Sequence, residues 1–314
     1  MHHSRVTVES SAVEPPWQAQ VVAAHGREFR VRTSSGDELR ARLQRRGQHV
    51  VCGDQVRCRR DSQHDAVHII EVLPRHGALY RSDARGRSEL LAANLNLLVV
   101  VVAPVPAPDL FVVDRYLAAA ASAGVEAALL ANKSDLGLPD LLLQALREYQ
   151  QLGYRCLHAS RNDATSVLQV QQLVRDRMAM LVGQSGVGKS SLLRQLVPGS
   201  DAQVGELMRD ESGRHTTTTT RCYQLPQGGA LLDSPGVRDF APAIERLDEH
   251  ALGFVDIEQL ATDCRFTDCR HLQEPGCAVR AALEHNRISA RRYESYRRLR
   301  RLYNDLRARP GSGQ

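Results

Sequence analysis

Hydrophobic and polar positions follow three successive rhythms along this chain. From residue 17 to about 73, "QVVAAHGREFRVRT", "DELRARLQ", "DQVRCRR" and "DAVHIIEVL" alternate partly with period two, broken by "SSGD" and "CGDQ". Such alternation turns one side of a strand to a core and the other to water, and short, evenly spaced strands suit a small barrel. An OB-fold is expected over residues 17–80, although period alone does not separate it from an SH3-like barrel. The polar run "RSDARGRSE" (81–89) reads as a linker.

The second rhythm begins with "NLLVVVVA", a buried strand. The helix "DLFVVDRYLAAAASAG", strand "VEAALLA" and helix "LPDLLLQALREYQQLG" follow, then strand "YRCLHAS", helix "ATSVLQVQQLVRD" and strand "RMAMLVG". Strands alternating with helices imply a parallel, doubly wound sheet. From about residue 245 the chain becomes helical and Arg-rich. The fold class expected is multi-domain: a flexible N-terminus (1–16), an OB-fold barrel (17–80), a central α/β domain (81–243) and a mainly helical C-terminal domain (244–314).

Composition alters this picture little. Hydrophobic residues make up 42% and charged residues 25% of 314, ordinary for a globular protein. No apolar run approaches the roughly 20 residues of a membrane span. The longest, "LNLLVVVVAPV", ends at Pro104, and the N-terminus lacks a signal-peptide core. A cytoplasmic protein without a membrane partner is expected. A net charge of +5 and a pI near 8.9 permit a nucleic-acid partner without requiring one. Of 41 Lys plus Arg, only Lys133 and Lys189 are lysines, and both fall inside motifs that suggest nucleotide chemistry.

"GQSGVGKS" (183–190) fits G-x-x-x-x-G-K-[ST] and lies between a predicted strand and a predicted helix, the context a phosphate loop requires. Its glycines let backbone N–H groups wrap phosphates, and the helix N-terminus adds a favourable dipole. Lys189 would neutralise β- and γ-phosphate charge, and Ser190 would ligate Mg²⁺. "NKSD" (132–135) follows the strand "VEAALLA" and so sits at a strand's carboxyl end. Guanine offers two adjacent donors, which the single carboxylate of Asp135 can accept. The Lys133 stem would lie along the base, and Asn132 would tie this reader to the phosphate loop. "HAS" (158–160) is a weak candidate for a second base-side loop.

"LLDSPGV" (231–237) carries D-x-x-G in Asp233 and Gly236; Asp233 would hold Mg²⁺ through water and the Gly236 N–H would sense the γ-phosphate. Val237 stands where many GTPases have a water-orienting Gln. Upstream, "GRHTTTTT" (213–220) offers hydroxyls for Mg²⁺, Thr217 and Thr218 among them, and one imidazole, His215, to position water. The nucleotide contacts expected are Asn132, Lys133, Asp135, Gly183, Gln184, Ser185, Gly186, Val187, Gly188, Lys189, Ser190, Ser191, Asp233 and Gly236. Base reader precedes phosphate loop, Thr loop and D-x-x-G, so the usual order is rotated: a circular permutation. The nucleotide-responsive D-x-x-G then leads straight into the C-terminal region.

"CRFTDCRHLQEPGC" places Cys264, Cys269, His271 and Cys277 within one short segment. Three thiolates and an imidazole form a closed tetrahedral set for structural Zn²⁺. Cys52, Cys58, Cys156 and Cys222 read as ordinary packing. "NRISARRYESYRRLRRLYNDLRAR" is a basic helix interleaved with Tyr293, Tyr296 and Tyr303. Its tyrosines either stack on RNA bases or pack on the zinc module.

With these motifs in place, the chain resembles, over nearly its whole length, the bacterial ribosome small-subunit-dependent GTPase A family (RsgA, also called YjeQ). The motifs carrying the resemblance are "NKSD", "GQSGVGKSSLL", "GRHTTT", "DSPGVRDF" and "CRFTDCRHLQEPGCAV". The resemblance implies an OB-fold, a circularly permuted GTPase domain and a C-terminal zinc domain. It implies hydrolysis of GTP to GDP, stimulated by the small (30S) ribosomal subunit, in late maturation of that subunit and with rRNA contact. It also makes His215 the candidate catalytic residue beside a hydrophobic Val237. "HASRND" departs from the usual Ser-Ala order, so Ser160 is left unassigned, and Arg194, often Asn in the family, is given no function. A monomer is expected. The competing readings are an RNA-binding scaffold whose nucleotide only sets conformation, and an ATPase, which fails if Asp135 reads the base.

Overall fold

The computed structural model describes residues 15–45, 47–61, 66–82, 87–199, 220–233 and 242–308. Strands β1 (Trp17–His25), β2 (Glu28–Thr33), β3 (Glu38–Leu43), β4 (Gln55–Asp61) and β5 (Ala66–Val72) close into a barrel in the order β1-β2-β3-β5-β4-β1. β3 and β5 run parallel and the other neighbours antiparallel. A five-stranded barrel in this order, with β3 and β5 parallel, is the OB architecture, so pairing decides what period could not. The apolar members of the alternation, Val21, Val31, Val56, Cys58 and Ile69, fill the interior.

The ends of the run expected to be a linker belong instead to two paired antiparallel strands, β6 (Leu79–Ser82) and β7 (Ser88–Ala92). Their polar residues face water and pair across the strands, Arg81 to Glu89 at 2.8 Å. The apolar residues that anchor them, Leu79, Leu91 and Ala92, lie at or beyond the ends of the polar run and are buried.

The central sheet holds β8 (Leu97–Val102), β9 (Glu126–Ala131), β10 (Arg155–His158), β11 (Met178–Val182), β12 (Thr220–Gln224) and β13 (Ala230–Asp233), in the order β10-β9-β8-β11-β13-β12. All pair in parallel except β12 with β13. Every residue of β8, "LLVVVV", is buried, as a parallel strand covered on both faces demands. Helices α1 (Leu110–Ser122) and α2 (Asp140–Gln151) pack on one face, α3 (Ala164–Val174) and α4 (Lys189–Leu196) on the other.

Barrel and sheet are continuous. β12 pairs with β1 through Ala23↔Arg221 and Ala24↔Thr220. A bulge in β1 between Val21 and Ala23 lets the strand serve both, because the extra residue bends it. Val22 accordingly joins the sheet's core while Val21 stays in the barrel's.

The C-terminal helices α5 (Val255–Ala261), α6 (Ala278–Glu284) and α7 (Ala290–Arg307) share one apolar core with α1 and α2. Tyr293, Tyr296, Leu299 and Tyr303 recur at helical spacing and all are buried. Tyr293 and Tyr296 donate their hydroxyls to the carbonyls of His271 and Arg270, at 2.7 and 2.9 Å. The tyrosines therefore pack on the cysteine segment, and stacking on RNA bases is ruled out for this arrangement: large rings on one stripe are worth more in the core than in water. Among the described residues no helix is long and apolar enough to cross a membrane.

Candidate functional site

The chain leaves β8 toward β9 and β10, then returns on the other side of β8 at β11. The loops after β8 and β11 diverge at the carboxyl edge, where open α/β sheets bind ligands. The loop after β11 is the predicted phosphate loop. At Gly183 (φ +140°) an added Cβ would lie 2.1 Å from the Val101 carbonyl oxygen, and at Gly188 (φ +101°) 2.3 Å from Asn132 Nδ2. Only glycine fits these two approaches. Gly188 caps α4, and Val187 is wholly buried beneath the loop. Lys189 donates to the carbonyls of Gly183 (2.5 Å) and Gln184 (2.8 Å), which holds its charge at the loop.

The predicted base reader leaves β9 at the same edge. Asn132 is buried and donates from Nδ2 to the Val187 carbonyl at 2.8 Å, joining reader and phosphate loop. Lys133, left-handed at φ +57°, donates to Gly186 (2.6 Å) and Val105 (2.9 Å) carbonyls. Asp135 is exposed and accepts the Ser160 hydroxyl at 2.7 Å. Ser160, unassigned from the sequence, is buried at the end of β10, and its backbone N–H donates to Ser166 Oγ at 3.1 Å. It therefore orients the reader's carboxylate. The signal for it was the polar cluster "SRND" directly after a strand parallel to β9. Gln184 accepts from the Asp109 N–H at 3.0 Å, fixing the loop to the start of α1. Asp233 ends β13, one residue beyond the pair Met180↔Leu232, at the same edge.

The cysteine segment forms a compact centre. The ligand atoms of Cys264, Cys269, His271 and Cys277 all lie within 4.8 Å of one another. Cys264 Sγ is 4.0 Å from Cys277 Sγ, and His271 Nδ1 is 3.5 and 3.6 Å from those sulfurs. A tetrahedral Zn²⁺ with Zn–S about 2.3 Å and Zn–N about 2.05 Å places sulfurs about 3.8 Å apart and sulfur to nitrogen about 3.5 Å. The donor set fits that ion. Burial pushes the Cys269 thiol up to about 12, so a cation is what would make it a thiolate at neutral pH. Cys277 caps α6, its Sγ accepting from the Arg280 N–H at 3.5 Å. Glu274 braces the loop by accepting the N–H groups of Arg270, Leu272 and Gln273 at 2.9–3.0 Å.

A family model described as "RsgA GTPase" matches residues 72–242. A relative from Ectopseudomonas mendocina, named a small ribosomal subunit biogenesis GTPase RsgA, is 43% identical over 84% of this chain and 78% of its own. One of the same name from Pseudomonas fluorescens is 42% identical over 92% of this chain and 89% of its own. The chain belongs to the RsgA GTPase family. Among solved structures, YjeQ from Thermotoga maritima superposes with a TM-score of 0.71 at 24% identity, covering 94% of this chain and all of that one. YloQ, described as a circularly permuted GTPase, gives 0.72 at 21%, over 96% and all of that chain. Those two likenesses show the fold. RsgA proteins are GTPases, and so hydrolases. Of the residues expected at an RsgA nucleotide site, His215, Thr217, Thr218, Gly236 and Val237 lie outside the described residues.

Proposed function

We propose that this chain hydrolyses GTP to GDP and phosphate in the cytoplasm, as a monomer, stimulated by the small (30S) ribosomal subunit and acting in that subunit's late maturation in contact with its rRNA. The observation that carries the reading is the Asn132–Val187 bond, which makes a guanine reader and a phosphate loop one rigid unit. Asp135, oriented by Ser160, reads the N1–H and exocyclic amine of guanine. Backbone N–H groups of Gly183 to Ser191 and the Lys189 ammonium hold the phosphates. Ser190 and Asp233 would hold Mg²⁺, with Thr217 and Thr218 the further candidate ligands; the ion would supply charge stabilisation to the phosphates. Gly236 senses the γ-phosphate and His215 positions the attacking water, a task Val237 cannot perform. The Cys264, Cys269, His271 and Cys277 centre holds one structural Zn²⁺.

The test is GTP turnover with and without small subunits, and with large subunits as control. Completing such a site in trans raises turnover by roughly 10³ to 10⁵ in other GTPases, so a rise of about a hundredfold or more with small subunits alone is expected. No rise, or an equal rise with large subunits, overturns the ribosomal role.

A further inference from the structure

The C-terminal helices pack on the sheet face opposite α4, away from the helix that opens at the phosphate loop. Helix α1 spans that separation. At its start, Asp109 donates its N–H to Gln184 of the phosphate loop. Five residues on, about 7.5 Å along the helix axis, Asp114 is 1% exposed and fully engaged. Its Oδ1 accepts Arg292 Nη1 at 2.7 Å and the Tyr149 hydroxyl at 2.7 Å, and its Oδ2 accepts Arg291 Nη1 at 2.8 Å. The remaining nitrogens of Arg292 bind Asp256 at 3.0 and 2.6 Å, and those of Arg291 bind Glu148 at 3.2 and 3.1 Å.

We infer that Asp114, gripped by Arg291 and Arg292, is the positioning residue that makes nucleotide occupancy of the phosphate loop and the packing of α7 interdependent, with α1 as the rigid piece between them. This rests on the nucleotide site proposed above. A buried ion network adds little stability over apolar packing, but it is all-or-none: displacing one member leaves another charge buried and unpaired. Such a device has discrete arrangements rather than a continuum, which is what coupling requires. Arg suits the role because its planar fork engages two carboxylates in fixed geometry. Whatever ordering nucleotide imposes on Gln184 is felt at Asp109 and, through α1, at the network; by reciprocity the docked α7 affects nucleotide affinity equally.

The test is amide hydrogen exchange on the full chain, with and without saturating GDP, in wild type, Asp114→Asn and Arg291→Gln, both outside the proposed nucleotide site. GDP should slow exchange in residues 290–307 of wild type by roughly fivefold or more. That protection should vanish in both variants while residues 183–191 remain protected. Should Asp114→Asn fail to fold, Arg291→Gln, at a half-buried partner, carries the test alone. Protection of 183–191 without any in 290–307 of wild type overturns the inference, as does protection of 290–307 that survives in the variants. Absence of protection at 183–191 overturns the nucleotide reading itself, and this inference with it.

Discussion

Asn132→Ala attacks the joint between base reader and phosphate loop. The side chain is 6% exposed and its Nδ2 donates to the Val187 carbonyl at 2.8 Å. Its backbone N–H still donates to Val102 at 2.8 Å, so the end of β9 keeps its place in the sheet. The substitution leaves the Val187 carbonyl buried and unpaired, a loss of about 1–3 kcal/mol. That loss divides between folding and binding: strain in the free protein lowers the unfolding free energy, and disorder of the loop lowers nucleotide affinity. If all of it falls on binding, Kd for GDP rises about 5- to 150-fold, at 1.4 kcal/mol per tenfold. The assay pairs titration of a fluorescent GDP analogue with urea unfolding on the same preparations. The two deficits together should amount to about 1–3 kcal/mol. A Kd within about twofold of wild type, with unfolding also unchanged, would show that this bond holds nothing together.

Ser160→Ala removes one hydrogen bond to Asp135 at the exposed rim of the reader, so GTP affinity should fall by about 0.5–1.5 kcal/mol, less than for Asp135→Asn. Equal affinity for Ser160→Ala and wild type in a competition titration would refute the orienting role. Chelation should unfold the C-terminal helices, because a structural Zn²⁺ contributes on the order of 10 kcal/mol, comparable with the 5–15 kcal/mol that stabilises a whole domain; metal content and circular dichroism check this together. Burial opposes ionisation of Glu274, but the backbone N–H groups of its own loop outweigh it and bring the carboxyl to about 2, below its ordinary 4.5. The ionised form is thus favoured by folding, so the stability it adds is present above pH 4.5 and lost as pH falls toward 2. Glu274→Gln should flatten that limb in a pH series of thermal unfolding, and an unchanged pH slope would count against the bracing.

Phosphate loop, base reader and metal-ligand spacing were all legible in the sequence because each rests on residue type at fixed intervals along one short segment. Ser160 was not, because its role is a contact between two loops brought together by β9–β10 pairing, and only the strand order makes them neighbours. The strand pair β6–β7 was missed because its anchors flank the polar run rather than punctuate it. The barrel was legible as a barrel; its closure through β1 and β4 was not, since pairing of residues as distant in sequence as Trp17 and Cys58 leaves no local trace. For the tyrosines of α7 the sequence left two readings open, stacking on RNA or packing on the cysteine segment, and their helical periodicity pointed to the second, which burial bears out. No single segment suggested the Asp114 network, whose members come from α1, α2, α5 and α7.

The permuted order gains a physical meaning from that network. The segment after Asp233 reaches the C-terminal region within eleven residues, at Ile244. The loop after β8 reaches the same region through α1 and two arginines. The proposed nucleotide site is thereby joined to the C-terminal helices along two edges, the first covalent and the second ionic, beside the apolar core that those helices share with α1 and α2. A single flexible connection lets two bodies swivel, whereas two separated connections fix their mutual orientation as well as their distance. The ionic one is embedded in the apolar core that α5, α6 and α7 share with α1 and α2, so breaking it would leave charges buried and unpaired. The C-terminal helices are therefore held in a defined pose on the GTPase core by apolar packing and by the Asp114 network together.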